Sequence, residues 1–216
     1  PTSTRRVYYA YLNGSGIVEN FNEITYNNIS EGYPSLAVDP VSGKPLYAWH
    51  ANSDADDLLE VQFISDAFIV SIAGLFNDPQ SVINNPIFIN GSYMGNPYSS
   101  SDNEFIWPTV QIGPSPTPNM RRVYVLARNS INHNAPASPS ENAYLAYADF
   151  NADHIEMGTP LVWSYTSIPE MNWWNHQTDW RRPFHAITTD NMGNVYYAGY
   201  HFATQSDGTT DIPEAD

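Results

Sequence analysis

The chain has 216 residues, no cysteine, 42% hydrophobic and 14% aromatic residues, and eight Lys or Arg against 23 Asp or Glu, a net charge of −15. This composition suits a packed core and excludes a disordered segment and disulfide or thiol chemistry. It argues against nucleic acid and anionic membrane surfaces as partners and favours cations.

In chain order, the first strand expected is Val7-Tyr8-Tyr9-Ala10-Tyr11, an aromatic run around Ala10 that leads into a Gly/Ser turn. From Tyr33, Pro34-Ser-Leu-Ala-Val-Asp39 alternates as a strand, Pro40-Val-Ser-Gly43 turns it, and Leu46 to His50 returns. Leu59 to Ser65 and Pro86 to Asn90 continue with strand-like runs. The most apolar stretch, Phe63 to Phe76, is interrupted by Asp66 and is too short to span a bilayer.

The same grammar then recurs. Pro108 to Ile112 is followed by a Pro-rich turn and Arg122 to Arg128, with further runs at Ala143 to Phe150 and Pro160 to Ser167. Pro183 to Thr188 is followed by Asp190-Asn-Met-Gly193 and Val195 to Tyr200. The opening prolines are spaced by 108−34 = 74 and 183−108 = 75 residues, and the prolines, β-branched residues and aromatics leave room for at most a turn or two of helix.

A repeat of this length with four strands predicts an all-β chain in which each unit buries its apolar faces against its neighbours, as the blades of a β-propeller do. The expected division is a blade remnant over 1–32, blades over 33–106 and 107–182, and a partial blade over 183–216. About three blades cannot close a ring that takes about four to eight, so the chain reads as a segment of a larger propeller or one completed by other chains. Beginning at Pro1 without a basic-then-apolar leader, it also reads as a processed secreted protein.

The run Ile187-Thr-Thr-Asp190-Asn-Met-Gly193-Asn194-Val195-Tyr196-Tyr197-Ala198-Gly199-Tyr200 is similar to a bacterial β-propeller repeat whose core reads apolar, Asp, x, x, Gly, Asn, Val, Tyr, x, x, Gly. Tyr33 to Asp39, with Gly43 and Ala48-Trp49-His50, resembles the same theme in large secreted proteins of Bacteroidota and related bacteria, which often carry a type IX secretion sorting domain. The resemblance spans residues 31–201 and implies a propeller at the cell surface or outside it. It implies no activity, because this fold hosts many. The sialidase Asp-box is only partly echoed at Ser42-Gly43 and Asp190 to Gly193, without its Thr-Trp ending.

Two segments carry candidate chemistry. Asn52, Asp54, Asp56 and Glu60, with the backbone carbonyl of Leu58, alternate as a compact Ca²⁺ loop requires, the usual glycine being replaced by Asp57. A solvated acidic hairpin is the competing reading. Asp149, Asn151, Asp153 and Glu156 repeat the alternation more weakly and read better as a polar turn. The second segment is Met171 to Trp180, where Trp173, Trp174, His176 and Trp180 offer indole faces and polar neighbours suited to a sugar, or filler between blades.

The remaining polar features have plainer readings. Arg5-Arg6, Arg121-Arg122 and Arg181-Arg182 each precede a strand and read as repeated structural salt bridges rather than an anion site. Among the six histidines, His50 and His201 fall at or just beyond strand ends, where a lone His is structural or exposed. Sequons at Asn13, Asn28 and Asn90 matter only in a host that glycosylates them.

No nucleophile elbow, P-loop or dinucleotide fingerprint occurs. The function expected is non-catalytic: a secreted or cell-surface module for binding, adhesion or display, with an extracellular glycan or protein as partner. The alternatives are a propeller-fold glycoside hydrolase or lyase acting on extracellular polysaccharide, whose two carboxylates sequence alone does not single out among 23 acids, and a structural subunit of a surface layer or filament.

Overall fold

A computed structural model describes residues 5–25, 29–53, 59–67, 74–83, 92–93, 96–97, 105–129, 143–167 and 185–199. The fold is all-β and antiparallel. A hairpin of β1 (Tyr8–Leu12) and β2 (Val18–Glu23) is followed by a four-stranded sheet of β3 (Glu31–Val38), β4 (Pro45–Ala51), β5 (Glu60–Ser65) and β6 (Gln80–Ile83). After a two-residue pairing of β7 (Ser92–Tyr93) with β8 (Asn96–Pro97) comes a second four-stranded sheet, β9 (Phe105–Pro114), β10 (Arg121–Asn129), β11 (Ala143–Phe150) and β12 (Ser164–Ser167). A hairpin of β13 (His185–Thr189) and β14 (Val195–Gly199) ends the described chain. In both four-stranded sheets the spatial order follows the chain order, so each is a meander.

One expectation from sequence lies outside the described residues and another is narrowed. The fourth strand of the first large sheet is Gln80–Ile83, half polar and too short to show alternation, whereas the expected strand over Pro86 to Asn90 lies outside the described residues. The expected run from Pro160 pairs only over Ser164–Ser167. The one described helix, α1 (Ala152–Glu156), follows β11 and is capped by Asn151, whose side chain accepts from the His154 N–H. That cap is the role of the weaker Asp149-to-Glu156 oxygen pattern, while Asp149 itself binds Arg122.

The sheets stack face to face because β4 and β10 bury both faces. On β4, Tyr47, Trp49 and Ala51 pack with Ile64 against Val7, Tyr9 and Ile24 of the first hairpin. The alternate residues Leu46 and Ala48, with Val61, Phe63, Val82 and Ile83, meet Val110, Ile112, Val123, Val125, Ala146 and Phe150 of the second large sheet. Tyr124, Leu126 and Leu145, on the far face of that sheet, pack against Ile187. Fully buried side chains such as Trp49, Phe63, Phe105 and Phe150 contribute roughly 1.5–3 kcal/mol each.

Polar ties hold the two large sheets in register. Arg121 donates through Nε (2.8 Å) and Nη2 (2.5 Å) to the two carboxylate oxygens of Asp39, and its guanidinium lies 4.8 Å from the Phe150 ring centre. Asp39 also accepts from the Ser42 hydroxyl at 2.6 Å within its own turn. Arg122 makes the same forked contact with Asp149 on the neighbouring strand. The structural reading of the Arg121-Arg122 pair therefore holds; Arg181 and Arg182 lie outside the described residues.

The first strands of successive sheets are direct neighbours. The Val110 N–H donates to Ser35 Oγ at 3.0 Å, joining β9 to β3, and Thr189 Oγ1 donates to the Ile112 carbonyl at 3.4 Å, joining β13 to β9. Gly113 permits the second approach, since a Cβ there would stand 2.6 Å from Thr189 Oγ1. Beyond these ties β3 turns Leu36 and Val38 to solvent, each more than half exposed.

Candidate functional site

Both large sheets carry the same irregularity near the start of their first strand. Across β3 and β4 the register passes from Gly32↔His50 to Ser35↔Ala48, so Tyr33 and Pro34 together oppose Trp49. Across β9 and β10 it passes from Ile106↔Arg128 to Thr109↔Leu126, so Trp107 and Pro108 oppose Ala127. Each is a β-bulge with one extra residue on the first strand. The leading residue is left-handed in both, Tyr33 at φ 49° and Trp107 at φ 55°. Such a backbone costs a non-glycine residue about 1–2 kcal/mol, and a following proline disfavours it further.

The two bulges bring aromatic and cationic groups together. The Tyr33 and Trp107 rings lie 5.0 Å apart at 34°, and the Tyr33 ring meets the His50 ring edge-on at 5.2 Å. Arg128, which holds in its sheet the place that His50 holds in the other, sets its guanidinium 4.1 Å above the Trp107 ring. That distance suits a cation–π contact. Tyr33 is half exposed, whereas His50 and Arg128 are buried behind the aromatic pair.

The protonation of His50 follows from its surroundings. The Trp107 N–H donates to His50 Nδ1 at 3.4 Å, which makes Nδ1 an acceptor and puts the proton of the neutral ring on Nε2. Burial, with the Arg5 charge adding to it, pushes the His50 pKa down to about 4, so the ring is neutral at pH 7. Among the described residues Nε2 has no hydrogen-bond partner, although His50 is only 3% exposed. A Cβ on Gly32 would stand 2.9 Å from Nε2 and 3.9 Å from the Arg5 guanidinium carbon. Gly32 thus lets the His50 ring lie directly against β3, where a side chain would collide with it, with the Arg5 guanidinium close by. Arg5 is exposed and has no ion pair among the described residues.

The sites expected from sequence lie elsewhere. Trp173, Trp174, His176 and Trp180 fall outside the described residues, as do Asp54, Asp56 and Leu58. Of the expected Ca²⁺ loop, Asn52 is half-buried and its N–H donates to the Ser30 carbonyl at 3.2 Å. Glu60 is buried, with Oε1 accepting from the Ser53 N–H at 2.7 Å and from Gln62 Nε2 at 3.3 Å. That carboxylate closes the base of the loop between β4 and β5. Among the described residues no group of three or more His, Cys, Asp or Glu is placed to hold a metal.

Two buried carboxylates sit on one face of the first large sheet, Glu31 and Glu60, each opposite Ala51. Glu31 accepts from the Val7 N–H at 3.2 Å and from the Thr25 hydroxyl, tying the first hairpin to this sheet. The two work as buried structural acceptors for neighbouring segments.

Sequence reasoning placed His50 at a strand end but did not connect it with Tyr33, Trp107 or Arg128. The available signal was the aromatic-Pro pair repeated at Tyr33-Pro34 and Trp107-Pro108. No protein-family model matches the chain, and no curated protein matches it.

Proposed function

We propose that the chain is a β-propeller segment of a secreted or cell-surface protein and acts as a non-catalytic module for binding, adhesion or display. Support for the propeller comes from the two four-stranded meanders stacked face to face, with the first strands β3, β9 and β13 side by side as the inner strands of blades are. In that arrangement the exposed residues of β3 face a central channel, and the bulges stand at one rim of it. The all-β fold and acidic composition are compatible with an extracellular setting.

The observation that carries recognition is the paired bulge: two strained aromatics, Tyr33 and Trp107, brought together beside buried His50 and Arg128. Strain of this kind concentrates at ligand contacts. The Trp173 to Trp180 segment, just ahead of β13, is proposed as a second contact surface, and Ca²⁺ bound between Asn52 and Glu60 as a stiffener of the β4–β5 loop.

An array of extracellular glycans and matrix proteins tests this reading. Binding that falls at least tenfold in Tyr33→Ala is expected. Binding untouched by Tyr33→Ala, or release of products from mixed plant and algal polysaccharides, would overturn it.

A further inference from the structure

We infer that two copies of this chain complete each other's sheets: β14 of each copy pairs antiparallel with β1 of its partner. The pairing joins unlike hairpins into four-stranded sheets and closes a ring of six. The inference rests on the propeller reading above and adds the partner, a second copy.

The two hairpins are different halves of the same unit. In the turn between β13 and β14 the Asp190 N–H donates to the Asn194 carbonyl at 3.1 Å, as the Asp39 N–H donates to the Lys44 carbonyl at 2.9 Å between β3 and β4. Each aspartate carboxylate also accepts from two backbone N–H groups of its own turn. With β13 beside β9 as β9 is beside β3, the last hairpin repeats a first and a second strand. The first hairpin repeats a third and a fourth. At the start of β3 the Glu31 N–H donates to the Arg5 carbonyl (3.1 Å), just ahead of β1; at the start of β9 the Phe105 N–H donates to the Leu59 carbonyl (2.9 Å), just ahead of β5. Val7, Tyr9 and Ile24 pack on the following sheet as Val61, Phe63 and Ile83 do.

These equivalences give the pairing a register. Matching Asn194 to Lys44 and Arg5 to Leu59 carries the β4–β5 pairs Leu46↔Ser65, Tyr47↔Ile64 and Ala48↔Phe63 onto Tyr196↔Tyr11, Tyr197↔Ala10 and Ala198↔Tyr9. In this register Ala10 and its β2 neighbour Phe21 share the face that Tyr197 turns toward β9–β12. The exposed side chains of Tyr8, Leu12 and Phe21 lie on that face, Tyr8 stacked on Phe21 at 5.3 Å, so the sheet β9–β12 of the partner covers them. A slip of one residue would turn them away from it.

The edges are suited to the join. Among the described residues no strand pairs the outer edge of β1 or of β14. Alternation from the Val7–Ile24 and Asp190–Asn194 hydrogen bonds turns the N–H and C=O groups of Tyr8, Ala10 and Gly199 to these edges. Neither strand carries a charge or a proline, the residues that keep sheet edges apart, whereas β2 carries Glu19 and Glu23. Within one chain the two edges stand on opposite sides of the large sheets, since the first hairpin packs on β3–β6 and the last on β9–β12. Two copies supply 2 × 2 = 4 whole sheets and two composite ones, six in all, within the about four to eight that close a propeller. The ring has two-fold symmetry.

Light scattering on the 216-residue chain over a concentration series should give a dimer of 2 × 24.2 = 48.4 kDa. Phe21→Glu, at an exposed ring, should weaken association at least tenfold by burying a charge in the join. Because the chain has no cysteine, Tyr11→Cys with Tyr196→Cys tests the register: this pair does not hydrogen-bond across the join, its Cα atoms stand about 4.5 Å apart, and oxidation should give a disulfide-linked dimer. Tyr11→Cys with Tyr197→Cys, on opposite faces, should not cross-link. A chain monomeric throughout the series, association unchanged in Phe21→Glu, or equal cross-linking through both pairs would overturn the inference and leave the propeller reading standing. Cross-linking through the expected pair with growth into open filaments would overturn ring closure and with it the propeller reading.

Discussion

Acidification should destabilise this chain through His50. The ring is held neutral in the fold by burial and by the nearby Arg5 charge, with its pKa lowered from 6.5 to about 4. An unfolded chain takes up the proton near pH 6.5, whereas the folded chain resists it until about pH 4, so the stability is complete above 6.5 and lost as pH falls through that window. The displacement corresponds to about 3 kcal/mol in full, most of it gone by pH 4.5. The forked partners Asp39 and Asp149 do not confuse the window. Burial pushes the Asp39 pKa up, but Arg121 and Ser42 outweigh it, and hydrogen bonding to Arg122 lowers that of Asp149; both lose their contribution only below the ordinary value of 3.8. Urea unfolding of the native chain and of His50→Gln, each at pH 7.5 and 4.5, isolates the effect, because the other five histidines are common to both. The native chain should lose about 2–3 kcal/mol more than the variant on acidification. A difference below about 0.5 kcal/mol would refute the assignment of a buried neutral imidazole to this position.

At Tyr33 the usual order of small residues should reverse: Tyr33→Ala should be less stable than Tyr33→Gly by about 1 kcal/mol in urea unfolding, because only glycine accepts φ 49° without strain. Equal stabilities would mean that the bulge relaxes when the ring is removed. Arg121→Gln leaves the fully buried Asp39 carboxylate without its cation and should cost about 3 kcal/mol, much of it restored by adding Asp39→Asn; an additive double variant would remove the proposed coupling. Gly113→Val should destabilise the chain by at least about 2 kcal/mol by forcing β9 from Thr189, measured by urea unfolding, and a neutral result would deny close packing of the first strands. A chelator should lower the melting temperature if Ca²⁺ stiffens the loop from Asn52 to Glu60; an unchanged melting curve would remove the ion from the account.

Much of the strand framework was legible because its signals are local. Leu46 to His50, Ala143 to Phe150 and Val195 to Gly199 announce themselves by aromatic and β-branched residues bounded by Asp/Gly or Asn turns, and the structure pairs them as strands. Gln80–Ile83 was not legible, since a strand this short gains its place from pairing with Val61 to Phe63 rather than from its own pattern. The bulges were hidden for a different reason. A residue before proline is expected to be extended, and Tyr33 and Trp107 break that rule only because the sheet around them fixes the backbone. Without the extra residue in the register, His50 and Arg128 do not fall into equivalent places, and neither points to the aromatic pair.

The magnitudes at the bulges separate a structural role from a recognition role. Left-handed Tyr33 and Trp107 cost about 1–2 kcal/mol each, and a glycine at either place would avoid that cost. Their mutual packing at 5.0 Å returns about 0.5–1.5 kcal/mol, and the Arg128 guanidinium over Trp107 returns about 0.5–2 kcal/mol more. Packing therefore roughly balances the backbone strain, and a purely structural account of the two rings comes close to closing. The same account extends to His50. Its Nδ1 accepts from the Trp107 N–H and so ties the bulge of β9 to β4, and Gly32 lets the ring lie against β3, where a Cβ would stand 2.9 Å from Nε2. An apolar residue at position 50 would leave the Trp107 N–H without that acceptor. What packing does not return is a hydrogen bond for the buried Nε2, which has no partner among the described residues.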